Sequence, residues 1–154
     1  MGPINKIIFV AGSGTGRAPM AAEIMKQTLG ERGVAGVEIC ARGLVVQFPE
    51  PMNPKALAVL ASNDIQAEGY QAKELVNADI TPDSLVLVMK EVQRPRVIDG
   101  FENANEENVF VLSAYVGDEI EIINPYGGSI QSYGLCFEVI KKTTEKLADK
   151  LWGK

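Results

Sequence analysis

The sequence predicts an α/β fold, a three-layer sandwich with a central, parallel, four-stranded sheet between layers of helix. Four runs rich in apolar residues, at residues 7–10, 34–41, 84–89 and 108–112, have the composition of buried strands. Helical patterns separate these runs, and strands that alternate with helices form parallel sheets covered on both faces. Because ligands of such sheets bind at the carboxyl ends of the strands, the first strand–helix turn is the first candidate for a binding site.

The first strand runs into a glycine-rich turn and then into a helix predicted over residues 19–29. Pro19 suits a first helical turn, where its missing N–H would have no partner, and Gly30 is a typical residue for a helix end. A turn between a strand and a helix start directs several backbone N–H groups to one point, where the helix dipole also favours an anion. Arg17 adds a planar set of donors that fits phosphate.

The middle of the chain is predicted from turn and helix signals. Residues 44–54 hold three prolines and are predicted to be irregular, with Phe48 as an exposed loop residue. Asn53 is predicted to cap a helix that begins at the following proline. Residues 71–76 are predicted to lead into another short helix.

The last third carries two further helical patterns. Residues 90–98 look helical, but Pro95 is expected to interrupt the helix. Residues 132–152 are predicted to form a long terminal helix, because apolar residues recur there every three or four positions. Cys136 lies on that stripe and is predicted to be packed, and Cys40 is predicted to be a small buried residue of the second strand.

Composition predicts one compact cytoplasmic domain, residues 1–154. The chain is 46% hydrophobic and 23% charged, with a net charge of −5, which argues against nucleic acid or an anionic membrane as partner. The N-terminal residues MGPINK carry no signal-peptide hydrophobic region. Two distant cysteines make no disulfide framework, and the absence of histidine removes His triads and His-metal sites, so no metal and no cofactor is expected.

Residues 97–140 contain no lysine or arginine but many acidic residues. One interpretation is a solvated acidic edge, and the other is a docking surface for a basic protein partner. The acidic residues are Asp99, Glu102, Glu106, Glu107, Asp118, Glu119, Glu121 and Glu138.

The spelling of the glycine-rich turn separates it from two common phosphate loops. A Walker loop needs a lysine before Ser or Thr, and there is none here. The dinucleotide fingerprint needs Gly-x-Gly-x-x-Gly, whereas the glycines are spaced Gly-x-Gly-x-Gly, and Arg42 follows the second strand where an acidic residue is expected. A tight turn with a surface arginine is the remaining simple interpretation.

A third loop fits better. Low-molecular-weight protein tyrosine phosphatases carry V-C-x5-R-S-P-M after their first strand, and residues 10–20 resemble this motif in the valine, the arginine spacing and the Pro-Met pair. Residues 124–128, Asn-Pro-Tyr-Gly-Gly, resemble the Asp-Pro loop of the same family. The resemblance covers essentially the whole chain and implies the fold of that family.

Four positions depart from the family motifs. Ala11 stands at the nucleophilic cysteine, Gly16 at a second cysteine, Ala18 at a serine that supports the thiolate, and Asn124 at the aspartate that acts as general acid. The resemblance implies a crevice wall at Phe48 and Tyr126. It also implies a phosphate-binding loop that consists of Gly12, Ser13, Gly14, Thr15, Gly16 and Arg17.

These departures favour a pseudophosphatase, which binds phosphate, a phosphorylated protein or a phosphorylated metabolite without turnover. Alanine offers no nucleophilic atom, and a carboxamide cannot exchange a proton at neutral pH. One alternative is a tyrosine or arginine phosphatase whose cysteine was substituted at Ala11; a related thiol-dependent arsenate reductase is less favoured. Another is a non-catalytic scaffold that uses its acidic surface.

Overall fold

The computed structural model describes residues 3–153, so Met1, Gly2 and Lys154 lie outside it together with the ends of the predicted domain. The described residues form four strands and five helices, with a single 3-10 turn at Asn77–Asp79. In chain order the elements are β1 Lys6–Ala11, α1 Arg17–Glu31, β2 Glu38–Gly43, α2 Pro54–Ser62, β3 Ser84–Val88, α3 Gln93–Gly100, β4 Val109–Val111, α4 Leu112–Tyr115 and α5 Ile130–Trp152.

The four strands form one parallel sheet in the order β2-β1-β3-β4, which confirms the predicted sheet. β1 is central, and its side chains alternate between two apolar clusters. Ile7 and Phe9 pack on the face that α1 and α5 cover. Ile8 and Val10 pack on the other face, beneath Val97 of α3 and an irregular segment near residues 75–80. The arrangement is a layered α/β fold, as predicted.

The helices differ from their predicted limits for local reasons. α1 continues past Gly30 to Glu31, and the glycine with positive φ that follows it is Gly33 (φ +71°). Pro95 does not interrupt α3, because it lies in the first turn of that helix, where its N–H would have no helical partner. The prediction of an interruption was therefore wrong.

One prediction in the middle of the chain is corrected, and another is made more specific. β2 is Glu38–Gly43 and not residues 34–41, because it follows the length of β1, with Lys6 opposite Glu38 and Ala11 opposite Gly43. Residues 71–76 lead into a short helix, as predicted, and that helix is the 3-10 turn at Asn77–Asp79. They run beside the end of β2, where Leu75 N donates to Gly43 O (2.9 Å).

The capping of two helices matters for the site. The Asn53 side chain accepts hydrogen bonds from Lys55 N (2.9 Å) and Ala56 N (3.4 Å), which confirms the predicted cap of α2. Ser129 caps α5 by accepting from Ser132 N at 3.2 Å, and the helix therefore starts two residues earlier than predicted. Within residues 3–153, no helix has the length and apolar character needed to cross a bilayer.

Candidate oxyanion-binding site

The loop between β1 and α1 is anchored through its carbonyl groups. Leu44 N donates to the carbonyls of Ala11 (3.0 Å) and Gly12 (2.9 Å), and Val45 N donates to Gly12 at 3.0 Å. These donors follow directly after β2, the neighbour of β1 in the sheet. The carbonyls of Ala11 and Gly12 thus fix the first part of the loop to the segment that follows β2.

The second part of the loop is anchored in the same way. Asn53 N, at the start of α2, donates to Thr15 O at 2.8 Å. The Tyr70 hydroxyl donates to Gly14 O at 2.6 Å. Burial, above all, raises the pKa of Tyr70 to about 12, so the hydroxyl stays a donor throughout the neutral range.

The opposite side of the loop presents backbone N–H groups. Among residues 3–153, the N–H groups of residues 12–17 have no hydrogen-bond acceptor. Because α1 begins at Arg17, these donors lie at a helix N-terminus, whose dipole favours an anion. A row of N–H groups at this point can hold an oxyanion, and we call it, together with the Arg17 side chain, the oxyanion cradle.

Gly14 lets the loop approach β2 closely. Its φ is +73°, in the left-handed region, and a Cβ at this position would lie 2.9 Å from Gly43 N. A Cβ at Gly43 would in turn lie 2.8 Å from the Ser13 carbonyl. The two glycines therefore pack backbone against backbone, and this contact holds the loop in one shape.

Arg17 connects the loop to the segment that follows α4. The side chain is buried (5% exposed), and its Nη1 donates to Ile122 O at 2.8 Å. Burial lowers the pKa of the Arg17 guanidinium, and the neighbouring Cys136 and Glu121 act in the opposite direction. Arg17 lines the same cavity as the loop N–H groups, so it can also donate to an anion held there.

The two positions that the resemblance assigns to catalysis lie in this cavity. Ala11 is the last residue of β1 and is 5% exposed, with a methyl group where a nucleophile would stand. Asn124 is exposed, and its Oδ1 accepts a hydrogen bond from Tyr126 N at 3.2 Å. The carboxamide thus orders the Pro125–Tyr126 turn and cannot act as a general acid, because it has no acidic proton to transfer.

No substitute nucleophile stands ready in the described residues. The hydroxyls of Ser13 and Thr15 bond to each other at 2.8 Å, and neither bonds to a carboxylate in residues 3–153. Burial raises the pKa of the Cys136 thiol to about 11, which keeps it protonated at neutral pH, and Arg17 only partly offsets this. Cys40 is half-buried, and burial is the main cause of the raised pKa of its thiol. The cavity thus offers hydrogen-bond donors, and no activated nucleophile is found among the described residues.

The cavity has a volume of about 460 Å³ and brings most of the predicted site residues together. Tyr126 lines the cavity and is 79% exposed. Gly14 contributes its shape to the loop but does not line the cavity, and Phe48 is 66% exposed and lies outside the lining. Phe48 therefore occupies the position of a plain exposed loop residue.

A model of the family described as low molecular weight phosphotyrosine protein phosphatase matches residues 6–154 of the chain. The chain belongs to this family. The family match, the sheet order and the position of the glycine-rich loop agree, so the resemblance drawn from the two motifs is confirmed for family and fold.

The chain is moderately similar in sequence to several phosphatases. The low molecular weight protein-tyrosine-phosphatase PtpB of Staphylococcus haemolyticus is 29% identical, over 92% of this chain and 96% of its own length. The protein-arginine-phosphatase of Geobacillus stearothermophilus is 26% identical, over 95% of each chain. The solved low molecular weight protein tyrosine phosphatase of T. tengcongensis superimposes with a TM-score of 0.89 at 25% identity, over 95% of this chain and 99% of that one.

The structure adds residues around the cavity that the sequence did not indicate as site residues. Tyr133 of α5 lines the cavity, is 2% exposed, and its hydroxyl has no hydrogen-bond partner within residues 3–153. Gln93 accepts from the N–H groups of Met89 (3.1 Å) and Lys90 (3.0 Å) and so orders the turn between β3 and α3. The further lining residues that were missed are Glu50, Asn53 and Lys90.

None of these lining positions left a local signal in the sequence. Tyr133 reaches the cavity through the packing of α5, and Gln93 begins α3. Glu50, Asn53 and Lys90 lie on loops whose positions depend on the folded sheet. In the described part of the chain, no group of three or more Cys, Asp or Glu side chains could hold a metal ion.

Proposed function

We propose that this chain is a pseudophosphatase, which holds the phosphoryl group of a phosphorylated protein or metabolite without hydrolysing it. The observation that carries the proposal is the row of N–H groups of residues 12–17 with no acceptor among residues 3–153, next to the buried Arg17. These donors match the equatorial oxygens of a phosphoryl group. Membership in a family that binds phosphorylated substrates supports the proposal.

The lack of turnover follows from two side chains. Phosphoryl transfer through a covalent intermediate needs a nucleophilic atom, and Ala11 has none. Loss of a general acid alone costs roughly 10²–10⁴-fold in rate, and Asn124 cannot act as one. We also propose that the chain forms one domain, residues 1–154, and works in the cytoplasm without a metal or cofactor. Its proposed partners are phosphorylated ligands, and not nucleic acid or a membrane.

A second candidate is a phosphatase for phosphotyrosine or phosphoarginine whose cysteine was replaced at Ala11. The observation that favours it is the naming of the relatives, which are called protein-tyrosine-phosphatase and protein-arginine-phosphatase at 29% and 26% identity. The joint departure of Gly16, Ala18 and Asn124 argues against this candidate. Replacing the cysteine of a phosphatase to trap its substrate changes a single residue, whereas here three further positions also differ from the family motifs. Both candidates bind the phosphoryl group through the loop N–H groups and Arg17. They differ in whether a thiol restored at position 11 is sufficient for turnover.

The test is a calorimetric titration with orthophosphate, and with tungstate as a second oxyanion, of the wild type, Arg17→Ala and Arg17→Lys. Saturable binding is expected in the wild type. Arg17→Ala should weaken it about 10- to 100-fold, because a hydrogen bond to a charged group contributes about 1.5–3 kcal/mol. Arg17→Lys should be intermediate, since it keeps the charge and loses the planar fork.

Arg96→Ala is the matched control, since it removes the same charge from an exposed position of α3 outside the cavity. It should bind both oxyanions as the wild type does. Circular dichroism and thermal unfolding of Arg17→Ala check that the fold persists, with Arg17→Lys as the milder change. No binding of either oxyanion by the folded wild type would contradict the proposal and leave a scaffold that works through its acidic surface.

A further inference from the structure

An apolar groove lies between the segment at residues 117–125 and α5. It has a volume of about 890 Å³. Ile120 and Ile123 are each 78% exposed, Leu135 is 70% exposed and Val139 is 48% exposed, and all four line it. Large exposed apolar patches on a soluble protein mark sites where a partner binds.

The charges around the groove have one sign. Its lining includes Asp118, Glu119 and Glu121 and no lysine or arginine. Lys146 pairs with Asp118 at 2.6 Å, and Glu121 accepts a hydrogen bond from the Glu91 N–H, but within residues 3–153 neither Glu119 nor Glu121 forms an ion pair. The surface thus complements a partner that offers apolar side chains together with lysine or arginine. A second copy of this chain, with its net charge of −5, would bring like charges together.

The groove continues into the oxyanion cradle. Asn124 and Pro125 line both the groove and the cradle cavity, so the two depressions meet at this turn. Arg17 reinforces the junction, since its Nη1 donates to Ile122 O, and Ile122 lines the groove. A polypeptide with a phosphorylated side chain in the cradle can therefore pass over the Asn124–Pro125 turn and lie in the groove.

We infer that the groove binds the polypeptide chain that flanks the phosphorylated residue, and that it selects flanking segments rich in apolar and basic side chains. This inference rests on the proposed function and narrows its ligand to phosphorylated proteins. The cradle supplies recognition of the phosphoryl group, which is the same for every ligand. The groove supplies selectivity among phosphorylated proteins, through apolar contact and the Glu119 and Glu121 carboxylates.

The experiment compares three fluorescein-labelled peptides of equal length by fluorescence anisotropy. One has a central phosphotyrosine flanked by leucine and lysine, the second has phosphotyrosine flanked by serine and glutamate, and the third is the first peptide without phosphate. The first peptide is expected to bind at least about tenfold more tightly than either of the others, a difference of about 1.4 kcal/mol. Its affinity should fall as salt is raised.

Ile120→Ser and Leu135→Ser should each reduce the preference for the first peptide, and Glu119→Lys should reduce it through charge. Both apolar side chains are mostly exposed, so these variants are expected to fold. Val76→Ser is the control, because Val76 is also half exposed and lines neither the groove nor the cradle. Orthophosphate affinity should be unchanged in all four variants.

The outcomes separate the two proposals. Equal affinity for the two phosphopeptides, with orthophosphate binding intact, would overturn the groove inference alone. Failure of the wild type to bind orthophosphate and either phosphopeptide would overturn the proposed function. Equal affinity for the first peptide with and without phosphate would overturn the continuity of groove and cradle.

Discussion

A single methyl group at the end of β1 limits what the loop can do. Ala11 lies beside the row of N–H donors and Arg17, but it carries no atom that can attack phosphorus. The N-terminus of a helix lowers the pKa of a nearby thiol, so a cysteine placed here would enter an environment that favours its thiolate. In the proposed function, Ala11 is therefore one of the two residues that prevent turnover, while the anion-binding surroundings of a nucleophile are retained.

We expect Ala11→Cys to introduce slow hydrolysis of p-nitrophenyl phosphate. Adding Asn124→Asp should raise the rate a further 10²–10³-fold or so, because the leaving oxygen then receives a proton. Steady-state kinetics of the wild type, both single variants and the double variant measure this.

Ala11→Ser is the matched control, because it places a hydroxyl where Ala11→Cys places a thiol, and the hydroxyl is a much weaker nucleophile at neutral pH. It should stay near the wild-type rate. If the double variant binds orthophosphate but turns over no faster than the wild type, the cradle is not arranged for phosphoryl transfer. If Ala11→Cys alone gives full activity, the second candidate function is favoured.

At the scale of elements, the loop depends on its contact with the end of β2. Gly14 combines a positive φ with a backbone approach that leaves no room for a side chain. Gly12 lies in the same loop without positive φ, and a Cβ there would have no heavy atom within 4 Å. The same substitution at these two glycines therefore tests the contact with little else changed.

Gly14→Ala should destabilise the protein by about 1–3 kcal/mol, from the left-handed backbone and the clash with Gly43. Gly12→Ala should change the free energy of unfolding by less than about 0.5 kcal/mol. Urea denaturation of both variants measures the difference. Similar stabilities would mean that the loop moves away from β2 at little cost.

The elements show what could be predicted from the sequence. The strand–turn–helix at the start and the cap at Asn53 are local signals, and both were correct. The limits of β2 depend on register with β1, so long-range pairing and not local propensity decided where this strand begins and ends. Tyr133 and the groove depend on where α5 lies, which no local pattern encodes.

At the scale of the whole molecule, Asp79 joins distant parts of the chain. Arg42 of β2 donates to it through Nε (3.1 Å) and Nη2 (3.2 Å), Val76 N donates at 3.0 Å, and Lys6 of β1 reaches its backbone carbonyl at 2.7 Å. Burial alone would raise the pKa of Asp79, but the Arg42 and Val76 hydrogen bonds outweigh it, and the pKa is lowered.

Because its pKa is lower in the folded state, Asp79 should stabilise the protein above about pH 4, and this contribution should be lost as the pH falls through its folded-state pKa. Asp79→Asn should be less stable than the wild type at pH 7, with the difference shrinking below about pH 4. Urea denaturation at pH 7, 5 and 3 measures this.

Asp99→Asn serves as the control, since Asp99 forms no ion pair within residues 3–153. It should track the wild type at each pH. A gap between Asp79→Asn and the wild type that stays constant down to pH 3 would show that the Asp79 charge does not contribute to stability.

The donors of the cradle also decide how it responds to acidity. Backbone amides do not titrate, and the chain has no histidine, the side chain that ordinarily changes charge between pH 5 and 8. A phosphate monoester gains its second negative charge near pH 6. Occupancy of the oxyanion cradle should therefore rise as the phosphate monoester gains its second negative charge. In mildly acidic surroundings, binding should weaken because the phosphorylated ligand takes up a proton, and not because a group of this protein does.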